Sequence, residues 1–247
     1  MKLFRLALLT LVAALSSIAW GQEAQELVER WRERYREPSH VYEQLTLVTT
    51  APRGAMNVVT LEAFARCDDA QCRYLWTVVT PPSARDMAVH AARGQDGALV
   101  GERRGGSSHA WLFGSVFTTA DLVDPLPAGA SFEYSATRVL DRIPHYVLRT
   151  RVSSGAEGES MERRIFLRKS DLWLSRIEDV DSSGSVLRRL QFKDPQPDDL
   201  GVLRSRMALL DDFRRGERTL LKVERRVHSA DYVPEIAFTS KERRNEH

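Results

Sequence analysis

Six histidines are the first residues to consider for chemistry, since an imidazole can act as a base or as a metal ligand near neutral pH. No two of them stand four residues apart, the H-x-x-x-H spacing that places two ligands on one helix face. We therefore interpret each as a surface histidine or as one satisfied within the fold, and we predict neither a metal site nor a cofactor. They are His40, His90, His109, His145, His228 and His247.

Serine and carboxylate patterns do not form a catalytic motif either. The chain has no G-x-S-x-G nucleophile elbow. Its acidic pairs, Asp68-Asp69, Asp198-Asp199 and Asp211-Asp212, fall in predicted turns, where aspartate bonds the backbone. We predict that the protein is not an enzyme, although a glycosidase-type pair of carboxylates depends on separation in space and stays open from the sequence.

The N-terminus has the three parts of a secretory signal. Lys2 and Arg5 form a charged region, and Leu6–Ile18 form an apolar core that is short for a membrane span. Ala19-Trp20-Gly21 then supplies a small-x-small cleavage site. We predict cleavage between Gly21 and Gln22 and export to the periplasm, with an uncleaved anchor as the alternative.

The balance of charge argues against a nucleic-acid partner. The chain has 36 basic and 34 acidic residues, and the loss of Lys2 and Arg5 with the signal leaves 34 of each. Basic residues alternate with acidic ones and form no basic stripe. The length that remains suits one domain, so we predict a single domain over residues 22–247.

Cys67 and Cys72 are the only cysteines, and they bracket a four-residue loop. In an oxidising compartment such a pair predicts a disulfide that closes the tip of a hairpin. Two thiols lack the further ligands of a zinc site, and redox-active pairs usually have two intervening residues. Unpaired thiols and a redox role are the alternatives.

Hydrophobic periodicity predicts one amphipathic helix followed by many strands. Residues Gln22–Glu37 carry an apolar stripe among charged side chains, which favours a helix that packs on a sheet over a membrane-surface helix. Phe117–Leu122 predicts a single helical turn capped by Thr118 or Thr119. A period of two predicts strands at Val41–Thr50, Met56–Arg66, Leu75–Val79, Asp86–His90, Ala98–Glu102, His109–Phe113, Ser131–Leu140, Tyr146–Val152, Val202–Leu210, Thr219–Val227 and Pro234–Phe238.

The clearest sheet pattern runs over Arg163–Phe192, which predicts three strands with one apolar face and one polar face. Asp181–Gly184 predicts the turn between the second and third strands. We interpret the arginines of this region as a solvated exterior. They are Arg163, Arg164, Arg168, Arg176, Arg188 and Arg189.

Several segments resemble the outer-membrane lipoprotein-sorting family, the LolA-like and LolB-like periplasmic lipid-binding proteins. The similar segments are Trp111–Phe113 for the family's W-L-Y, Phe117–Leu122 for its D-F-[ST]-x-x-D-L turn, Tyr146–Leu148 and Ala237–Thr239. The similarity spans Val41–Arg244, with departures. Val116 stands where the family has Asp, Gly114 where it has Pro, and Asp171–Ser175 where Tyr-Leu-Pro-Leu is common.

This resemblance implies a mainly β fold with a few helices: a strongly curved antiparallel sheet that forms an unclosed, half β-barrel, with an N-terminal amphipathic helix and a short plug helix. It also implies an apolar concavity for acyl chains. We choose apolar mid-strand positions as its lining, with an ordinary filled core as the competing interpretation for each. They are Leu61, Phe64, Leu75, Val78, Trp111, Phe113, Leu167, Ile177, Leu190 and Met207.

Two functional hypotheses follow. The first is an exported carrier or accessory protein that binds a lipid or an acylated protein and passes it to a membrane transporter or an outer-membrane partner. The second is a periplasmic protein-binding or assembly module of a membrane transport complex, with a filled core and no lipid cargo. For either role we expect a monomer, no cofactor and no nucleic acid.

Overall fold

The computed structural model describes most of the chain that follows the predicted signal. The described residues are 22–85, 87–94, 99–104, 112–123, 125–126, 129–154, 159–235 and 238, with the backbone alone at 99–104, 153–154 and 159–160. The predicted signal segment lies outside them.

Over these residues the chain is mainly β, as predicted. The strands are β1 (His40–Thr50), β2 (Met56–Cys67), β3 (Gln71–Thr80), β4 (Ala88–Gly94), β5 (Leu99–Arg104), β6 (Glu133–Leu140), β7 (Ile143–Ser154), β8 (Glu159–Arg168), β9 (Leu174–Val180), β10 (Val186–Pro197), β11 (Leu203–Asp212) and β12 (Glu217–Val227). The helices are α1 (22–34) and α2 (Thr119–Val123), with 3-10 turns at Pro82–Ala84 and Ala230–Tyr232.

The chain forms two compact units. The larger unit comprises the described residues between 36 and 129 and from 187 onward, and the smaller comprises the described residues between 22 and 35 and between 130 and 186. In the larger unit the strand order is β5-β4-β3-β2-β1-β12-β11-β10, with antiparallel pairs and no closure of the sheet on itself. In the smaller unit the order is β9-β8-β7-β6, also antiparallel. The antiparallel, unclosed sheet that we predicted is therefore confirmed.

Helix α1 buries the apolar stripe that its sequence predicts. Its side chains Ala24, Leu27 and Val28 are buried. At its C-terminal end, the ring of Tyr35 meets Trp173 edge-on at 5.9 Å, and its hydroxyl donates to the Asp171 carbonyl at 3.0 Å. Among the described residues, no helix combines the length and the apolarity that a membrane crossing requires.

The predicted disulfide is present. Cys67 and Cys72 are directly opposite each other where β2 meets β3, and their sulfurs are bonded. The turn between them is held by Asp68, whose carboxylate accepts the backbone N–H groups of Ala70 and Gln71 at 2.9 Å each. These two bonds hold the pKa of Asp68 below its ordinary value.

Two predicted strands are not strands at the residues that the structure describes, which are 112–113 of the first and 234, 235 and 238 of the second. Phe113, at the end of the predicted strand His109–Phe113, lies in a tight turn with φ 50°, followed by Gly114 at φ 73°. Residues 105–111 of that region are outside the described part. Of the second, Pro234–Phe238, residues 236–237 are outside the described part. Just upstream, the Ser229 hydroxyl accepts the Asp231 N–H and starts a 3-10 turn at Ala230–Tyr232.

Candidate functional site

One face of the larger sheet is apolar across six adjacent strands. The register places Val59, Leu47, Leu221, Ala208 and Phe192 in one row across β2, β1, β12, β11 and β10. A parallel row holds Val78, Leu61, Leu45 and Val223 across β3, β2, β1 and β12. Because residues two apart on a strand point to the same side, both rows share one face, which we call the apolar face.

A segment that we call the plug segment, residues 112–126, lies against the apolar face. Its Gly114 packs so closely that a Cβ there would sit 3.3 Å from Nδ2 of Asn57, two residues along β2 from Val59. The backbone N–H of Val116 donates to Thr219 Oγ1 at 3.2 Å, and Thr219 is buried two residues along β12 from Leu221. These contacts place one end of the plug segment over β2 and β12.

Two arginines of the same face hold the rest of the plug segment. Arg188 of β10 donates to the Val116 carbonyl at 3.0 Å and to Asp121 Oδ2 at 2.8 Å. Arg93 of β4 donates to the Val123 carbonyl at 2.9 Å. The plug segment therefore covers the apolar face from β10 to β4. The buried side chains among its described residues are Leu112, Phe113, Ser115, Val116, Phe117, Asp121, Val123 and Leu126.

The local sequence explains the shape of the plug segment. Leu112 N–H donates to the Phe117 carbonyl at 2.8 Å across the Phe113-Gly114 turn. Thr118 and Asp121 then cap α2 reciprocally: the Thr118 N–H donates to Asp121 Oδ2 at 2.8 Å and the Asp121 N–H donates to Thr118 Oγ1 at 3.3 Å. The predicted helical turn with a Thr118 cap is confirmed.

The structure brings four of the predicted lining residues together. Leu61, Val78 and Leu190 lie on the apolar face and are buried, and Phe113 is buried in the plug segment that covers it. Trp111 lies outside the described residues. In this structure the plug segment covers the apolar face, so these side chains meet the chain's own residues.

Three other predicted lining residues lie on the opposite face of the larger sheet. Phe64 stands three residues from Leu61 on the same strand, and it pairs across the sheet with Leu75 and with Tyr42, whose ring lies 5.4 Å away. Met207 directly precedes Ala208, which lies on the apolar face, so the Met207 side chain points to the opposite face. The apolar face does not include these three.

Leu167 and Ile177 belong to the smaller unit. Ile177 is opposite Ile165 on β8, and Leu167 follows two residues later on the same strand, so the two predicted lining residues share a face. All three side chains are at most 4% exposed. They form part of the smaller unit's own core.

Charged side chains gather at one end of the apolar face. Glu43 and Arg226 are cross-strand partners on β1 and β12 and form an ion pair at 2.5 Å, each 19% exposed. Burial alone would lower the pKa of Arg226, but Glu43 outweighs it and raises the pKa. Glu37 lies 3.6 Å from Arg204. Acids and bases are thus interleaved at this end.

The interpretation of all six arginines as solvated exterior is wrong for two of them. Arg163 binds Asp179 through two bonds, at 2.7 and 3.0 Å, and the two side chains are 12% and 4% exposed. Arg188 is 15% exposed and pairs with buried Asp121. A carboxylate opposite each guanidinium allows it to lie on a buried face, and the sequence pattern alone could not reveal those partners.

A serine and a histidine meet in the smaller unit. His145 Nδ1 lies 2.8 Å from the Ile143 carbonyl, which can only accept, so Nε2 accepts the Ser175 hydroxyl at 2.9 Å. Burial holds the pKa of His145 below its ordinary value and favours this neutral ring. Both ring nitrogens are thus satisfied within the fold, as predicted for a structural histidine. A nucleophile and a base alone do not define an active site.

Asp198, Asp199 and His228 form a second cluster beside the charged end of the apolar face. Each offers a ligand atom, and the three atoms lie within 4.8 Å of one another. Short-range spacing in the sequence does not reveal this group, because two complete strands, β11 and β12, separate the acids from the histidine.

Comparisons with solved structures show the fold. An outer membrane lipoprotein-sorting protein domain from Vibrio parahaemolyticus is similar with a TM-score of 0.76 and 12% identity, over 89% of this chain and 98% of that chain. A DUF1329 family protein from Desulfovibrio piger is similar with a TM-score of 0.70 and 15% identity, over 90% of this chain and 98% of that chain. A LolA superfamily protein from Nitrosomonas europaea is similar with a TM-score of 0.61 and 15% identity, over 86% of this chain and 97% of that chain. The chain therefore has a LolA-like fold.

Comparisons with sequences add a family but no characterised relative. A family model with the description "Uncharacterized protein" matches residues 102–242, more than half of the chain. No curated protein matches the sequence.

Proposed function

The chain belongs to the family whose model matches residues 102–242, and from its LolA-like fold we propose that it is an exported carrier or accessory protein for a lipid or an acylated protein. One observation carries this proposal: a broad apolar face is covered by a short plug segment that polar contacts hold. Acyl chains would take the place of Phe113 and Phe117 on that face.

The contacts of the plug segment support its displacement. Helix α2 has only five residues, so it gains little stability of its own. Arg188, Arg93 and Thr219 hold the segment through a few polar contacts, and the groups that make them can be satisfied by water or by a ligand head group once the segment moves.

The charged end of the apolar face supports an amphiphilic ligand. Acyl chains lying on the apolar rows would bring a polar head toward Glu43, Arg226 and Arg93. A membrane transporter or an outer-membrane acceptor would then receive the cargo. We further propose that the protein works in the periplasm as one domain after cleavage behind Gly21, and that it does no catalysis.

Lipid extraction and mass spectrometry of the protein purified from the periplasm test the carrier role, together with uptake of a fluorescent fatty acid. N-terminal sequencing of the same sample tests cleavage before Gln22. We expect co-purified lipid and saturable uptake, with faster uptake by Arg188→Gln because it loosens the plug segment. Arg189→Gln is the matched control, since Arg189 is on the opposite face of β10, against Phe213. Absence of both bound lipid and uptake would contradict the carrier role.

The second candidate is a protein-binding or assembly module with a filled core. The coverage of the apolar face by the plug segment favours it, since Leu45, Leu47 and Leu61 are all at most 2% exposed. Under this role Arg188→Gln would lower stability without giving fatty-acid uptake. The same experiment therefore separates the two functions.

A further inference from the structure

Asp198, Asp199 and His228 come together at the end of the larger sheet. The two acids lie in the turn between β10 and β11, and the histidine directly follows β12. The distance from His228 Nδ1 is 2.5 Å to Asp199 Oδ1 and 3.7 Å to Asp198 Oδ2. Three potential ligand atoms thus converge from two separate parts of the chain.

The histidine is buried and lacks hydrogen bonds. Its side chain is 4% exposed, and neither ring nitrogen makes a hydrogen bond. The Asp199 oxygen lies 2.5 Å from Nδ1, but this contact does not have the geometry of a hydrogen bond. Buried polar groups without partners are rare in folded proteins and call for an explanation.

From this convergence we propose that Asp198, Asp199 and His228 bind a divalent transition-metal ion of the zinc type. Two ligands that each lie about 2.1 Å from one ion can be at most about 4.2 Å apart, and both distances from Nδ1 satisfy this limit. An ion in front of Nδ1 would bind this ring nitrogen together with one oxygen of each carboxylate.

The surroundings orient the ligands. Asp198 Oδ1 accepts the backbone N–H groups of Leu200 and Val202, at 3.0 and 2.9 Å, which leaves Oδ2 directed toward the histidine. Arg204 Nε lies 3.3 Å from Oδ2 and can share it with an ion, since a carboxylate oxygen has two lone pairs.

The donor set indicates the class of metal. One imidazole nitrogen with two carboxylate oxygens suits zinc and similar ions, whereas calcium and magnesium prefer oxygen alone. Asp199 is 57% exposed, which leaves a side open for the ion to enter and for water to complete the coordination. The ion would join the β10–β11 turn to the end of β12.

Zinc titration of the full chain after treatment with a chelator tests the site, with a chromophoric chelator as competitor. We expect one Zn²⁺ per chain, and at least about a tenfold loss of affinity in Asp199→Asn and in His228→Gln. X-ray absorption of the loaded protein should show one imidazole ligand among oxygen ligands. His40→Gln and Asp194→Asn are matched controls and should bind zinc as the wild type does, since neither residue belongs to the cluster.

Two outcomes would overturn the proposal: no saturable zinc binding by the wild type, or unchanged affinity in Asp199→Asn. The result for Asp199→Asn stays informative even if His228→Gln does not fold, because Asp199 is mostly exposed and its replacement leaves the core intact. Circular dichroism of each variant identifies those that are folded.

Discussion

Arg188 of β10 and Asp121 of the plug segment form an ion pair 2.8 Å long, and their side chains are only 15% and 7% exposed. Because both charges are largely removed from water, each depends on the other. This pair is the one place where a charged side chain of the sheet holds a charged side chain of the plug segment among the described residues.

We expect Asp121→Asn to lower the free energy of unfolding by about 3 kcal/mol, because it leaves the Arg188 guanidinium buried without its carboxylate. Urea denaturation followed by far-UV circular dichroism measures this. The control Arg189→Gln should change the free energy by less than about 1 kcal/mol, as most surface substitutions do. Equal losses in the two variants would show that the pair has no special role.

Leu61 and Phe64 provide a test of which face of the sheet binds ligand. Both Leu61→Ala and Phe64→Ala should lower stability, by about 2–5 kcal/mol each, because both remove packed apolar groups. Only Leu61→Ala should weaken binding of a fluorescent fatty acid, by about tenfold, since Leu61 alone is on the apolar face. Titration of the probe into each folded variant measures this, and a larger effect of Phe64→Ala would place the ligand on the other face.

Two ion pairs of the smaller unit differ in burial and can be compared directly. Asp179→Asn should lower the free energy of unfolding by about 3 kcal/mol, because Arg163 and Asp179 are 12% and 4% exposed and share two hydrogen bonds. Glu162→Gln should cost only about 0–1 kcal/mol, because Arg164 and Glu162 are 29% and 35% exposed. Thermal and urea unfolding of the two variants measure these losses. An equal loss of stability in Glu162→Gln and Asp179→Asn would contradict the expectation that the buried pair stabilises more.

His145 should make stability depend on pH. Its pKa in the folded state is below the ordinary value of 6.5, because burial disfavours the charged ring. Between the two pKa values the unfolded chain binds more protons than the folded chain, so stability should fall as the pH drops below about 6.5.

Urea denaturation at pH 7.5 and at pH 5.0 measures this dependence. The loss of stability between the two pH values should be smaller in His145→Gln than in the wild type. His40→Gln should keep the full loss, since His40 is more exposed and lies beside Ser39 at the start of β1. An unchanged loss in His145→Gln would assign the dependence to other groups.

Local patterns in the sequence determined most of the elements. Alternation predicted β1, β2, β11 and β12 within a few residues, and the Asp181–Gly184 turn forms because Asp181 accepts the N–H groups of Ser183 and Ser185. These features depend on neighbours along the chain, so the sequence contains their cause. The same alternation could have separated Leu61 from Phe64, since positions three apart on a strand point to opposite faces.

Only the tertiary structure decided which of these surfaces is covered and which charges meet. The plug segment and the strand that carries Arg188 are distant in sequence, and no local pattern in either segment predicts that they pair. Likewise, β11 and β12 must fold back on β10 before His228 reaches Asp198. The sequence determined the two-sided strands and their turns because these depend on local geometry, whereas the partners across the fold depend on strand register and on how the chain returns.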